Sequence, residues 1–108
     1  MPIRLEAQTM PGIWLDDKTG CGTGSTYRLE FKEDGTCEFQ QCSVYESLLW
    51  FIKDNEVHLY DQLCDEGDPP VIILKDLRVD EETEQLCMVA SGNWVEGVFY
   101  KRGDINGD

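Results

Sequence analysis

Tyr27-Arg28-Leu29-Glu30-Phe31-Lys32-Glu33-Asp34-Gly35-Thr36-Cys37-Glu38-Phe39-Gln40 is the stretch that decides the fold. Tyr27, Leu29 and Phe31 alternate with Arg28, Glu30 and Lys32, the period-2 pattern of a strand with one buried face. Asp34-Gly35 is a strong hairpin signal. Beyond it Cys37 and Phe39 alternate with Glu38 and Gln40 and return the chain as an antiparallel neighbour.

The same pattern extends outward. Leu48-Leu49-Trp50-Phe51-Ile52 is apolar on both faces and predicts a strand covered on both sides. Lys53-Asp54-Asn55 turns into a strand over 57–60. The acidic loop 62–70 leads to the longest strand, 71–79, and residues 80–84 turn it back into 86–90. Ser91-Gly92-Asn93 precedes the last strand, 95–102, and residues 12–16 supply the first. No window of 11 residues reads as an amphipathic helix. Connections are mostly too short for parallel crossovers. The expectation is an all-β, eight-stranded antiparallel up-and-down meander. Closing it into a small barrel removes two exposed edges, and this is favoured over a two-sheet sandwich, which needs longer connections. Residues 1–11 are read as an N-terminal extension, 12–102 as the barrel domain and 103–108 as an acidic disordered tail. That tail, with Asp104, Asn106 and Asp108, has only the opening positions of a calcium loop.

Composition bounds the function. The 108 residues carry 9 Lys and Arg against 22 Asp and Glu, a net charge of −13. Phosphate-mediated nucleic-acid binding needs a basic face, so nucleic acid is not an expected partner. Anionic membrane surfaces are disfavoured for the same reason, and no apolar run reaches the roughly 20 residues of a membrane-spanning helix. Residues 1–6 contain no basic region followed by an apolar stretch. A reduced, cytoplasmic protein is therefore expected, or a secreted one if a leader has been removed.

There are five cysteines, Cys21, Cys37, Cys42, Cys64 and Cys87, with no C-x-x-C pair. Free thiols are expected, over a Cys21–Cys64 disulfide or a soft-metal site. Gly20-Cys21-Gly22-Thr23-Gly24-Ser25 lacks the lysine and following helix of a phosphate loop. His58, the sole histidine, has no motif that brings a nucleophile to it. No catalytic residue, cofactor or metal is assigned.

An up-and-down meander sends alternate loops to opposite ends. One end receives the acidic turns 33–35, 54–55 and 80–84. The other receives the loops 17–25, 44–47, 62–70 and 91–94 and is the expected mouth, because long loops on a rigid scaffold usually carry binding. Trp50, Tyr60, Cys21, Cys64 and Trp94 are the candidate ligand-binding residues. Asp80, Glu81, Glu82 and Glu84, with Asp65 and Glu66, form the candidate acidic interaction surface. A chain this short predicts a filled interior rather than a roomy cavity.

Gly12-Ile13-Trp14 at the first strand and Phe99-Tyr100-Lys101-Arg102 at the last resemble the calycin superfamily. Its lipocalin-like members open on G-x-W and end on a strand with a basic residue packed over the tryptophan. The resemblance implies that Gly12, Trp14 and Arg102 (or Lys101) close one end of the barrel. It also implies a non-enzymatic module for a small, largely apolar ligand at the open end. The charge supports a different expectation, an interaction or inhibitor module for a basic partner protein.

Overall fold

In the computed structural model, residues 4–18, 26–63 and 65–102 are described. The expectations for Cys21, Cys64, the glycine-rich stretch 20–25 and the tail 103–108 lie outside the described residues.

The strands are β1 (Gly12–Leu15), β2 (Tyr27–Phe31), β3 (Thr36–Gln41), β4 (Val44–Lys53), β5 (Glu56–Asp61), β6 (Ile72–Val79), β7 (Leu86–Gly92) and β8 (Gly97–Lys101). They follow one another in chain order around a closed antiparallel barrel. Alternation sorts the faces as expected. Leu29 and Phe31 of β2, Cys37 and Phe39 of β3, and Leu48 and Trp50 of β4 point inward and are buried. Trp14, Phe31, Phe99, Met10, Leu59 and Met88 are among the largest fully buried side chains. Edge-on aromatic contacts bind this core: Phe31 lies 6.4 Å from Trp14 and 5.6 Å from Trp50, centroid to centroid.

On β6 the alternation slips. Ile72 and Leu74 are buried, and so is Leu77, three residues on. Between Lys75↔Val89 and Arg78↔Cys87 the strand carries one extra residue, and Asp76 at φ 60° absorbs it. This bulge turns Leu77 back toward the core.

The acidic turns β2–β3, β4–β5 and β6–β7 define the lower end. Residues 4–11 close it. Leu5 and Met10 are buried in the barrel's own core, and a single 3₁₀ turn, Ala7–Thr9, lies between them. Trp14 Nε1–H donates to the Met10 carbonyl at 3.1 Å, and Asn55 Oδ1 accepts the Leu5 N–H at 2.8 Å.

The basic partner of Trp14 is Lys101, its direct neighbour across the β1–β8 seam. Lys101 Nζ donates to the Thr9 carbonyl at 2.8 Å, and burial lowers the ammonium pKa. Gly12 lies under it at φ +134°, where a Cβ would stand 3.1 Å from Lys101 Cε. Arg102, the other residue expected in that role, is exposed and joins the seam through its backbone N–H to Ile13 O.

Three expectations are corrected. Residues 44–47 are not an upper loop: β3 turns into β4 at Cys42-Ser43, with Cys42 at φ 56°, so the β3–β4 hairpin rises past the end of β5. Trp50 is not at the mouth. Its backbone N–H donates to Gly35 O and its indole N–H to Lys32 O, which fixes it at the lower end. Tyr60, expected to bind ligand at the mouth, does not line it, since it alternates with the buried Leu59 and faces outward.

Candidate functional site

Leu48 to Ile52 is apolar on both faces because both faces have a use. Leu48 and Trp50 enter the core, whereas Leu49 and Phe51 point outward, and Phe51 stays 55% exposed. The β4–β5 register sets Leu49 opposite Tyr60 and Phe51 opposite His58. The Phe51 and Tyr60 rings meet edge to face at 5.9 Å, and His58 Nε2 lies 3.1 Å from Glu56 Oε1.

The β5–β6 loop folds outward over this patch. Its turn is held by Asp65 N–H to Asp68 Oδ2 at 2.8 Å and Asp68 N–H to Asp65 O at 3.1 Å. Together, loop and strands border an open concavity of about 600 Å³, with Leu49, Phe51 and Tyr60 as floor and Asp65, Glu66 and Asp68 as wall; Lys53 and His58 also border it. Aromatic faces carry negative quadrupole charge. Floor and wall therefore favour the same ligand chemistry, a cation on an apolar stem.

The expected mouth differs from this. Trp94 packs on Phe39 at 5.5 Å, and Phe39 on Tyr27 at 5.8 Å, so these rings stand together beneath the upper end of the barrel. Of the expected ligand-binding residues that are described, Trp94 alone is there. Trp50 belongs to the lower core, and Tyr60 to the outer concavity.

The expected acidic surface divides in two. Asp65 and Glu66 wall the concavity just described. Asp80 instead shapes the β6–β7 turn, accepting Thr83 N–H at 3.1 Å and Thr83 Oγ1–H at 2.9 Å, and these bonds hold its carboxyl pKa below the usual value. Glu82 pairs with Lys18 at 2.6 Å. Lys18, which follows β1 toward the upper end, thus reaches down the outside of β8 to the opposite pole, passing the Tyr100 ring at 5.9 Å. Glu84 holds its turn at φ 61° and donates its N–H to Asp80 O. Glu81 is exposed.

A second concavity, of about 1190 Å³, lies beside this turn, bordered by Gly12, Glu30, Gln85, Lys101 and Arg102. Acid and base are mixed there, so it selects no single charge.

The described thiols are free. Cys37 and Cys87 are buried, and burial is the main cause that raises both pKa values. Cys42, at the hairpin tip, is exposed. Among the described residues no group of three or more His, Cys, Asp or Glu side chains is arranged to hold a metal ion.

No family model, no curated protein and no solved structure matches the chain.

The outer concavity had one trace in the sequence, the double-faced apolar run from Leu48 to Ile52. That run predicts a strand covered on both sides; the partial exposure of its outer face beside an acidic loop comes from the three-dimensional path of residues 65–68.

Proposed function

We propose that this barrel is a non-enzymatic binding module for a basic partner protein, engaged through the outer face of β4 and β5. The observation that carries the reading is the concavity in which Asp65, Glu66 and Asp68 overhang Phe51 and Tyr60. A lysine or arginine side chain suits it: the stem lies on the rings and the charged head meets the carboxylates. The net charge of −13 adds long-range attraction that steers such a partner toward the barrel.

The calycin relationship stays part of the proposal, on Gly12, Trp14 and the Lys101 that crosses them. With it comes the second reading, a small apolar ligand at the upper end, whose structural support is the cluster of Trp94, Phe39 and Tyr27. Because those rings pack on one another, the outer concavity is the better-supported site.

Binding of a fluorescent lysine-rich octapeptide, followed by anisotropy across a salt titration, tests the choice. Affinity is expected to fall as salt rises, since exposed charges are screened over about 8–10 Å at physiological strength. Phe51→Ala should weaken binding at every salt concentration by about 0.5–2 kcal/mol, and Asp65→Asn with Glu66→Gln should flatten the salt dependence. Salt-independent binding, or binding untouched by all three substitutions, refutes the reading. Stabilisation of the barrel by the neutral probe N-phenyl-1-naphthylamine, without peptide binding, would transfer the function to the upper end.

A further inference from the structure

β4 outruns one of its neighbours. β3 accompanies it from Thr36↔Leu49 to Gln41↔Val44, whereas β5 pairs with it only from Lys53↔Glu56 to Leu48↔Asp61. Among the described residues, 44–47 therefore have a partner strand on one side alone. Which backbone groups face the vacant side follows from one bond: Trp50 N–H donates to Gly35 O, toward β3. Along an antiparallel strand, successive residues direct their N–H and C=O to opposite neighbours. Val44, Glu46 and Leu48 thus serve β3, while Tyr45 and Ser47 turn both their N–H and C=O groups to the side that β5 has left.

Residues 65–68 of the β5–β6 loop lie instead beside Leu49, Phe51 and Tyr60 on the outer face. Among the described residues no backbone bond outside the strand ladders reaches Tyr45 or Ser47. An open strand edge is a template for another extended chain. Tyr45 and Val44 flank this one at 67% and 49% exposure, and the acids near it are Glu46 on the hairpin, Asp61 at the end of β5, and Asp65 and Glu66 in the loop.

We propose that the Tyr45–Ser47 edge of β4 receives an extended basic segment of the partner as an added strand, beside the concavity that takes one of its cationic side chains. This rests on the proposed function and adds how the partner docks. The charge argues for a basic occupant over a second copy of the chain, which would bring −13 against −13.

The probe is an octapeptide of alternating lysine and valine, with a control N-methylated at every residue, which keeps the charge and removes the amide donors of both edges. Amide hydrogen exchange of the whole chain is read by NMR. The Tyr45 and Ser47 amides are expected to exchange freely without peptide and to slow by about tenfold or more when it binds. The N-methylated peptide should give no such protection and bind several-fold more weakly. Ser47→Pro, which removes an edge donor while leaving the β3 ladder its bonds, should weaken the first peptide and leave the second unchanged. If Phe51 and Tyr60 resonances shift while Tyr45 and Ser47 exchange as before, the docking mode is wrong and the function stands. If neither set responds, both fall. Protection that grows with protein concentration in the absence of peptide would assign the edge to a second copy and overturn the proposal.

Discussion

Replacing Met10 by alanine tests whether the segment ahead of β1 is structural. Met10 is 0% exposed and belongs to the barrel core. Alanine removes three heavy atoms, about 2.4 kcal/mol at roughly 0.8 kcal/mol per methylene-sized group. The void left against Trp14 and its neighbours adds to this, so the total falls at about 3 kcal/mol, within the range of about 2–5 for buried Met→Ala changes. For a domain of this size the midpoint of thermal unfolding should drop by about 12 °C. Urea unfolding followed by tryptophan fluorescence measures the loss directly. The transition should move to lower urea with its slope unchanged, because a cavity alters stability and not the surface exposed on unfolding. The Met10 carbonyl, which accepts the Trp14 indole N–H, belongs to the backbone and survives the substitution. A cost below about 0.5 kcal/mol, the size of an ordinary surface change, would refute the reasoning and detach residues 4–11 from the core.

Three more outcomes are expected. In the native protein iodoacetamide should label Cys42 and spare Cys37 and Cys87, as read by peptide mass spectrometry, since the latter are buried with raised pKa values; equal labelling of all three would contradict the packing. By NMR the Asp80 carboxyl should titrate below its ordinary value of 3.8, and Thr83→Val should bring it back up. Because the folded pKa is the lower one, Asp80's contribution to stability is present above the unfolded value and is lost as pH falls through the folded one. Gly92→Ala should destabilise by more than about 2 kcal/mol in the same urea assay, because Gly92 sits at φ +151° and a Cβ would lie 2.4 Å from Val71 O.

The strands were legible wherever one face meets the core and the other meets water, as in Tyr27 to Phe31. Legibility ended where that contrast ends. Residues 44–47 rise above the barrel with all side chains exposed, so no burial pattern marks them as strand, and they read as loop. The position of Trp50 was illegible for another reason: alternation gives its face, but its height along the barrel depends on register, here Trp50↔Leu59. The contact of Lys18 with Glu82, 64 residues apart, depends on the chain's path outside the barrel and leaves no periodic signal. Of the candidate site, the apolar floor was visible as Leu48 to Ile52 and the acids as charges in a loop. Their meeting was not, because period-2 alternation carries no information about where a loop folds.

The β1–β8 seam has a kinetic consequence. Seven of the eight ladders join strands adjacent in the chain, while the seam joins β1 to β8 through two register pairs, Trp14↔Lys101 and Leu15↔Tyr100. Hairpins form in about 1–10 μs, and sequence-local pairings come first because little chain must be ordered to make them. The last act of folding is then the zippering of an almost complete curved sheet onto the strand that carries Trp14. The Lys101 bond to Thr9 and the Arg102 N–H bond to Ile13 O cross that seam and hold it shut, so the earliest of the eight strands in the chain is the one whose final neighbour arrives at the end.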